Sequence, residues 1–241
     1  MKAAPTDQAA LLSIVDLDAK AKAVEARKRN LPEHEQLNTL NAQRKVLADQ
    51  ATKATTRAMD DEVAMRRVEE DLQTATTRLA RDKKRIDDGV VNDAHSIASL
   101  EAEIAHLDGR ISELEDKQLE FMVAIEDAKQ EAEDAKAARA DVETKMRALI
   151  VSRDEAVKAA DDELADLAAQ RSSVMDGLPA ELATLYERAA SRGGGGAAEL
   201  KAGRCVGCGL MLDALARRAA EEAPPDEVVR CAECGRILIR G

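Results

Sequence analysis

The chain of 241 residues carries a net charge of −11, with 34% charged and 45% hydrophobic side chains, yet aromatic residues make up only 1% of it. Phe121 and Tyr186 are the entire aromatic complement, which excludes an ordinary globular core of this length, since such cores draw on aromatic rings for buried area. Apolar content dominated by Ala, Leu, Val and Ile beside dense charge is instead the composition of long helices meeting along narrow seams, and the acidic excess argues against the whole molecule being a general nucleic-acid binder.

The opening segment, Met1 to Ser13, lacks a basic start followed by an unbroken apolar run, so no secretory signal is expected. No apolar stretch approaches membrane-spanning length. A cytoplasmic protein without membrane contact is the expectation, and in that compartment paired thiols hold metal or do redox work more often than they form disulfides.

A first apolar stripe, Ile14, Leu17, Ala21, Val24 and Leu31, ends at Pro32. The proline ring cannot continue a helical hydrogen-bond ladder, which predicts a kink near residue 32. From Leu37 to Ile86, spacings alternating three and four are interrupted only by Arg44, Asp61 and Asp82. A longer series from Ile97 to Val174 is interrupted by Gln118, Arg139, Arg153, Glu163 and Gln170. Spacing sustained at an average of 3.5 residues predicts coiled coil. Between the two series lies Asp87 to Asp93, where Gly89 suits a helix C-cap and Asn92 or Asp93 the next N-cap. So short a break makes the helices antiparallel neighbours. Residues 1–178 therefore read as an antiparallel coiled-coil hairpin with its tip at about 87–93. Segments 6–87 and 93–174 are equal in length, each about 120 Å long if wholly helical, so a rod is expected. Because the hairpin satisfies its own seam, a monomer is expected too.

Residues 179–196 read as a short helix opened by Pro179, followed by a linker at Gly193 to Gly196. The tetraglycine lacks the Lys-Ser/Thr that a phosphate-binding loop needs after it.

Residues 197–241 hold all four cysteines, as Cys205-Val-Gly-Cys208-Gly and Cys231-Ala-Glu-Cys234-Gly. Two CxxC pairs at this separation bring four thiolates onto one tetrahedral ion, so Cys205, Cys208, Cys231 and Cys234 are the candidate ligands of a structural Zn2+. Gly209 and Gly235 suit the positive φ that turns backbone N–H groups toward the sulfurs, and Arg204 and Arg236 stand beside the cysteines to offset thiolate charge. Iron is the other ion such a cage takes. A redox thiol pair would need one CxxC on a βαβ scaffold, and four cysteines leave no open position for a catalytic water. Val228-Val229 and Ile237-Leu238-Ile239 are the expected strands, and Leu210 to Leu215 leads into a short helix ending before Pro224. Ribbon and hairpin are expected to share little core.

From Gly193 to Gly241 seven basic residues balance seven acidic ones, and no aromatic side chain offers itself for base stacking. Arg217, Arg218, Arg236 and Arg240 are the candidates for a basic face touching a partner or nucleic acid. The basic run Arg81, Lys83, Lys84 and Arg85 reads as a solvated helix face. His34, His95 and His106 lie off the seam, and no nucleophile, base and orienter set emerges, so the chain is not expected to be an enzyme.

The tip segment Arg85-Ile-Asp-Asp-Gly-Val-Val-Asn, the helix sequence Ile111-Ser-Glu-Leu-Glu-Asp, the Cys205-Val-Gly-Cys208 pair and the ending Cys231-Ala-Glu-Cys-Gly-Arg-Ile-Leu together resemble the bacterial C4-type zinc-ribbon family with a long N-terminal coiled-coil hairpin, which includes flagellar regulatory zinc-ribbon proteins. Ile239 departs from the aromatic that often follows this ending. The resemblance implies a mainly α fold, a C4 zinc ribbon with short β-strands, and a non-enzymatic role in protein–protein contact, with RNA or DNA binding in some members. The leading expectation is an adaptor that presents a zinc ribbon on a coiled-coil rod. The alternative is a nucleic-acid-binding regulator acting through the ribbon's arginines.

Overall fold

The structure is a computed structural model and describes residues 1–240. In chain order the elements are helices α1 (Pro5–Arg29), α2 (Pro32–Asp87), α3 (Ala94–Asp176) and α4 (Ala180–Ala190), strands β1 (Ala197–Lys201) and β2 (Arg204–Cys205), helix α5 (Ala214–Glu222), and strands β3 (Val229–Arg230) and β4 (Ile237–Arg240). The fold class is thus mainly α, a long helical hairpin plus a small strand region. The chain divides into two compact units, Glu35–Leu149 and Met1–His34 with Ile150–Gly241.

In Glu35–Leu149, α2 and α3 run antiparallel. Glu62 pairs with Lys129 at 2.8 Å and Arg78 with Glu103 at 2.7 Å, so numbers rise on one helix as they fall on the other. The seam changes character along its length. Leu107 and Leu114 pack with Ala75 and with the half-buried Leu72 and Ile111, whereas farther from the tip it is built from buried Ala51, Ala54 and Ala58 and from Ala128, Ala132 and Ala135. Alanine lets helices approach closely but buries little apolar area, at about 25 cal/mol per Å². The exposed ion pairs contribute about 0–1 kcal/mol each and set register more than stability. Asp82 sits in the seam with its side chain 3% exposed, ringed by Arg81 at 3.3 Å, Arg85 at 3.8 Å and Arg78 at 3.9 Å.

The tip follows from its residues. Gly89 adopts φ +64° and donates its N–H to the Ile86 carbonyl at 3.0 Å, while the Val90 N–H reaches Arg85 at 3.2 Å; these bonds satisfy the last carbonyls of α2. Asp93 accepts the Ser96 N–H at 2.9 Å, and that bond holds its carboxyl below the usual carboxylate range. Gly109, within α3, has open space where a side chain would project. Gly109→Ala should therefore raise stability by about 0.5–1 kcal/mol by relieving the helical cost of glycine, read as a shift in the urea midpoint.

In the other unit, four strands form one sheet in the order β2-β1-β4-β3. β1 and β4 run parallel, Ala197 opposite Ile237 and Glu199 opposite Ile239; β2 and β3 pair antiparallel at the two edges. Strand residues alternate faces, so β4 looks two ways. Ile237 and Ile239 enter a core with Leu11 and Ile14 of α1, Leu182 and Tyr186 of α4, and Ala197. Leu238 enters a second core with Ala198, Cys205 and Cys231. The expectation that the cysteine region and the helices share little core is corrected here. Three consecutive apolar residues mark a strand buried on both faces, and the second face of β4 is covered by helices. The chain's first residues join the same unit: Ala3 donates its N–H to Asp226 at 2.8 Å, Val228 donates to Met1 at 3.1 Å, and the buried Gln8 amide donates to the Ala3 and Pro225 carbonyls.

Tyr186, fully buried, donates its hydroxyl to Asp18 at 2.9 Å, and Arg171 bridges Asp18 at 2.7 Å and Glu187 at 2.8 Å. The network ties α1, α3 and α4. Burial and the Asp18 carboxylate together push the phenol above its ordinary range.

Gly193 to Gly196, expected to be a linker, is instead a held turn, with Gly193 and Gly194 exposed and Gly195 and Gly196 buried. Gly193, Gly194 and Gly195 have φ of +97°, +80° and +82°, a run open to glycine alone. Their carbonyls converge on one guanidinium: Arg236 Nε donates to Gly194 at 3.0 Å and Gly195 at 3.1 Å, and Nη2 to Gly193 at 3.1 Å.

Candidate metal centre

The two CxxC segments fold into near copies of one knuckle. Gly209 donates its N–H to the Cys205 carbonyl at 2.8 Å, and Gly235 donates to that of Cys231 at 2.9 Å. The Cys205 N–H reaches the Leu210 carbonyl at 3.0 Å, and the Cys231 N–H reaches that of Arg236 at 2.9 Å. Gly209 and Gly235 have φ of +74° and +73°, the left-handed conformation expected of them. An arginine precedes each first cysteine and bonds the glycine carbonyl of its own knuckle: Arg204 to Gly209 at 2.6 Å, Arg230 to Gly235 at 3.2 Å.

The knuckles face each other and bring all four Sγ atoms within 4.8 Å of one another. Cys205 to Cys234 and Cys208 to Cys231 are each 3.9 Å apart. A disulfide would require about 2.05 Å. Four sulfurs placed tetrahedrally at about 2.3 Å from one ion would lie about 3.8 Å from each other, so the donor set and its spacing fit a single four-coordinate metal. Cys205 and Cys231 are buried and Cys208 and Cys234 half-buried. Burial pushes the Cys205 thiol up to about 12, against N–H bonds from Cys208 and Gly207, and raises Cys231 likewise. At Cys234 burial is outweighed by the Arg236 N–H and by the neighbouring thiols, which lower it to about 7. The environment therefore already favours one thiolate in the cluster.

The four candidate arginines do not form one face of free cations. Arg236 is committed to the glycine carbonyls. Arg240 donates to the carbonyls of Ala220, Ala223, Pro224 and Glu227 at 2.6–3.0 Å, closing off the C-terminal end of α5. Both act within the fold. Arg217 and Arg218 remain exposed on α5, Arg217 near Glu221 at 3.8 Å. The charge-offsetting role assigned to Arg236 falls to its backbone N–H, and the residue equivalent to Arg204 in the second knuckle is Arg230. The repeat Arg-Cys-x-x-Cys-Gly at 204–209 and 230–235 was the signal for that symmetry.

A helical hairpin joined to a compact four-thiol module places the protein in a definite class, and similarity makes the assignment specific. The chain belongs to the CT398-like coiled coil hairpin domain family, whose model matches residues 14–194. It is 33% identical to the uncharacterized protein Rv2229c of Mycobacterium tuberculosis, covering 100% of this chain and 98% of that one. A solved structure from Mycobacterium smegmatis superposes with a TM-score of 0.84 at 28% identity, over 100% of both chains. CT398 from Chlamydia trachomatis superposes at 0.70 over 98% of each chain and, at 17% identity, shows the shared fold.

Proposed function

We propose that the protein is a non-enzymatic, cytoplasmic adaptor in which one structural Zn2+, held by Cys205, Cys208, Cys231 and Cys234, fixes a small ribbon that a coiled-coil hairpin presents to a protein partner. The observation that carries this reading is the cluster of four thiols, all within 4.8 Å of one another and two pairs at 3.9 Å. Four sulfurs complete the shell of the ion, so it stabilises without offering a site for chemistry. A module of this size gains much of its stability from such an ion.

Zinc binding is tested by metal analysis of the purified chain and by competition titration across pH. One zinc per chain is expected. Thiols must lose their protons to bind, so affinity should fall as pH falls, more steeply once Cys234 takes up its proton near 7. Affinity independent of pH would remove the thiolate cage.

The adaptor role is tested by a pulldown from native extract with and without nuclease, comparing wild type with Cys205→Ser/Cys234→Ser. Retention of the same proteins after nuclease, lost with the cysteines, is the expected result. Partners that vanish with nuclease would favour the nucleic-acid reading, which now rests on Arg217 and Arg218, since Arg236 and Arg240 are occupied by backbone carbonyls.

A further inference from the structure

The four-cysteine module carries apolar surface that its own fold leaves uncovered. Val206 is 55% exposed, Leu210 51%, Met211 52% and Leu215 80%. Single exposed apolar side chains are ordinary on protein surfaces, but a cluster within one short segment is not. The backbone brings Leu210 and Met211 back beside the strand that leads into Val206, and Leu215 follows in the first turn of α5. Residues 210–212 turn back along 203–205 through the Cys205 N–H bond to Leu210, the Leu212 N–H bond to Gly203 and the bridge between Arg204 and Met211. Met211 and the stem of Arg217 both lie over Gly203, where an added methyl would stand 3.8 Å from Met211 Cε and 2.8 Å from Arg217 Cδ.

The same segment is basic in an acidic chain. Lys201, Arg204, Arg217 and Arg218 are all exposed; the one acid between residues 201 and 218 is Asp213, whose carboxylate accepts the Ala216 N–H as the N-cap of α5, and beyond it Glu221 stands 3.8 Å from Arg217, leaving Lys201, Arg204 and Arg218 without an acidic neighbour in the segment. We infer that this face docks an acidic, amphipathic peptide segment of a protein partner, its apolar side chains against Val206, Leu210, Met211 and Leu215 and its carboxylates toward Lys201, Arg204, Arg217 and Arg218. The inference rests on the adaptor reading and names the chemistry of the partner. Opposite charge steers the encounter and fixes register, while buried apolar anchors hold the complex. A nucleic-acid strand satisfies only half of this surface: it would meet the arginines, but the face has no aromatic ring for its bases.

The test is selection of a phage-displayed library of random peptides on the immobilised full-length, zinc-loaded chain, followed by fluorescence anisotropy of the enriched peptides. They should combine Asp or Glu with spaced Leu, Ile or Phe. Met211→Glu/Leu215→Glu should weaken them by about tenfold or more, as expected for central anchors, and Arg217→Glu/Arg218→Glu should weaken them with a reduced salt dependence. Unchanged zinc content and helicity would show that each variant is folded. Absence of enrichment, enrichment of basic peptides, or binding indifferent to Met211→Glu/Leu215→Glu would overturn the inference. So would a single-stranded RNA that binds through the arginines alone. If native partners stay bound to Met211→Glu/Leu215→Glu yet are lost from Cys205→Ser/Cys234→Ser, the adaptor reading stands and only this face is wrong.

Discussion

Cys231→Ser/Cys234→Ser should release the start of α1 and all of α4 from protection against hydrogen exchange while leaving the Glu35–Leu149 hairpin helical. The coupling runs through β4. Leu238 packs on the cysteine side, and Ile237 and Ile239 pack on Leu11, Ile14, Leu182 and Tyr186. If the knuckles lose the metal cross-link proposed for them, β4 loses the face that holds it in the sheet, and the helical core loses two fully or nearly buried isoleucines. Structural zinc contributes about 10–16 kcal/mol of apparent binding energy in small modules, comparable with the whole stability of a typical domain, about 5–15 kcal/mol. The loss should be graded along α1. Farther on, Leu17 and Val24 are buried too, and Arg27 pairs with Glu163 of α3, so that half should retain protection. Full protection of Leu11 and Ile14 in the variant would show that the helical core stands without the cysteines. Collapse of helicity in Glu35–Leu149 would show the two units to be one cooperative block.

Gly196→Ala should be among the most damaging single methyl additions in the chain. The methyl would lie 2.6 Å from Cδ2 and 2.8 Å from Cγ of Tyr186, with the Tyr186 carbonyl closer still. Neither obstacle can step aside, because the ring is fully buried and hydrogen-bonded to Asp18 and the carbonyl belongs to α4. Overpacking of this kind costs about 1–3 kcal/mol where side chains can shift; with backbone as the obstacle, the top of that range or beyond is expected, read as a fall in the thermal midpoint. Gly193→Ala is the comparison. It meets nothing within 4 Å but must hold φ at +97°, so only conformational strain is added, about 1–2 kcal/mol. A loss at Gly196 no larger than that at Gly193 would mean that α4 and Tyr186 yield to the methyl, since Gly196, unlike Gly193, needs no positive φ.

The long-range coupling behind both expectations explains which features the sequence displays openly. Periodicity is a local property: the stripes ending at Ile86 and beginning at Ile97 and the glycine at position 89 require nothing but their neighbours to specify two helices and a turn. The cysteine pairs are equally legible, because metal-binding chemistry constrains spacing within each knuckle. β1 was illegible. Ala197-Ala198-Glu199-Leu200-Lys201 has little strand propensity, and it is a strand because Ala197 and Ala198 pair in parallel with Ile237 and Leu238 at the far end of the module. Small side chains are needed there, one against Tyr186 and its neighbours, the other against the thiols.

The arginines divide on the same line. Their presence beside the cysteines is written in the sequence, but their use is not. A guanidinium offers five donors in a rigid fork, and whether those donors meet water, a partner or backbone depends on carbonyls brought from distant positions. Arg236 meets Gly193, Gly194 and Gly195, and Arg240 meets the end of α5 and the loop that follows. The sequence by itself determined the helical hairpin, its turn and the four-thiol set, since each arises from contacts or spacings a few residues apart. Only the tertiary structure decided that α1 and the chain's first residues share a core with the cysteine module, that the tetraglycine is held by a guanidinium with its second half buried, and that two of four basic residues spend their donors on backbone carbonyls. Those outcomes depend on burial of both faces of β4, and that burial unites segments more than two hundred residues apart.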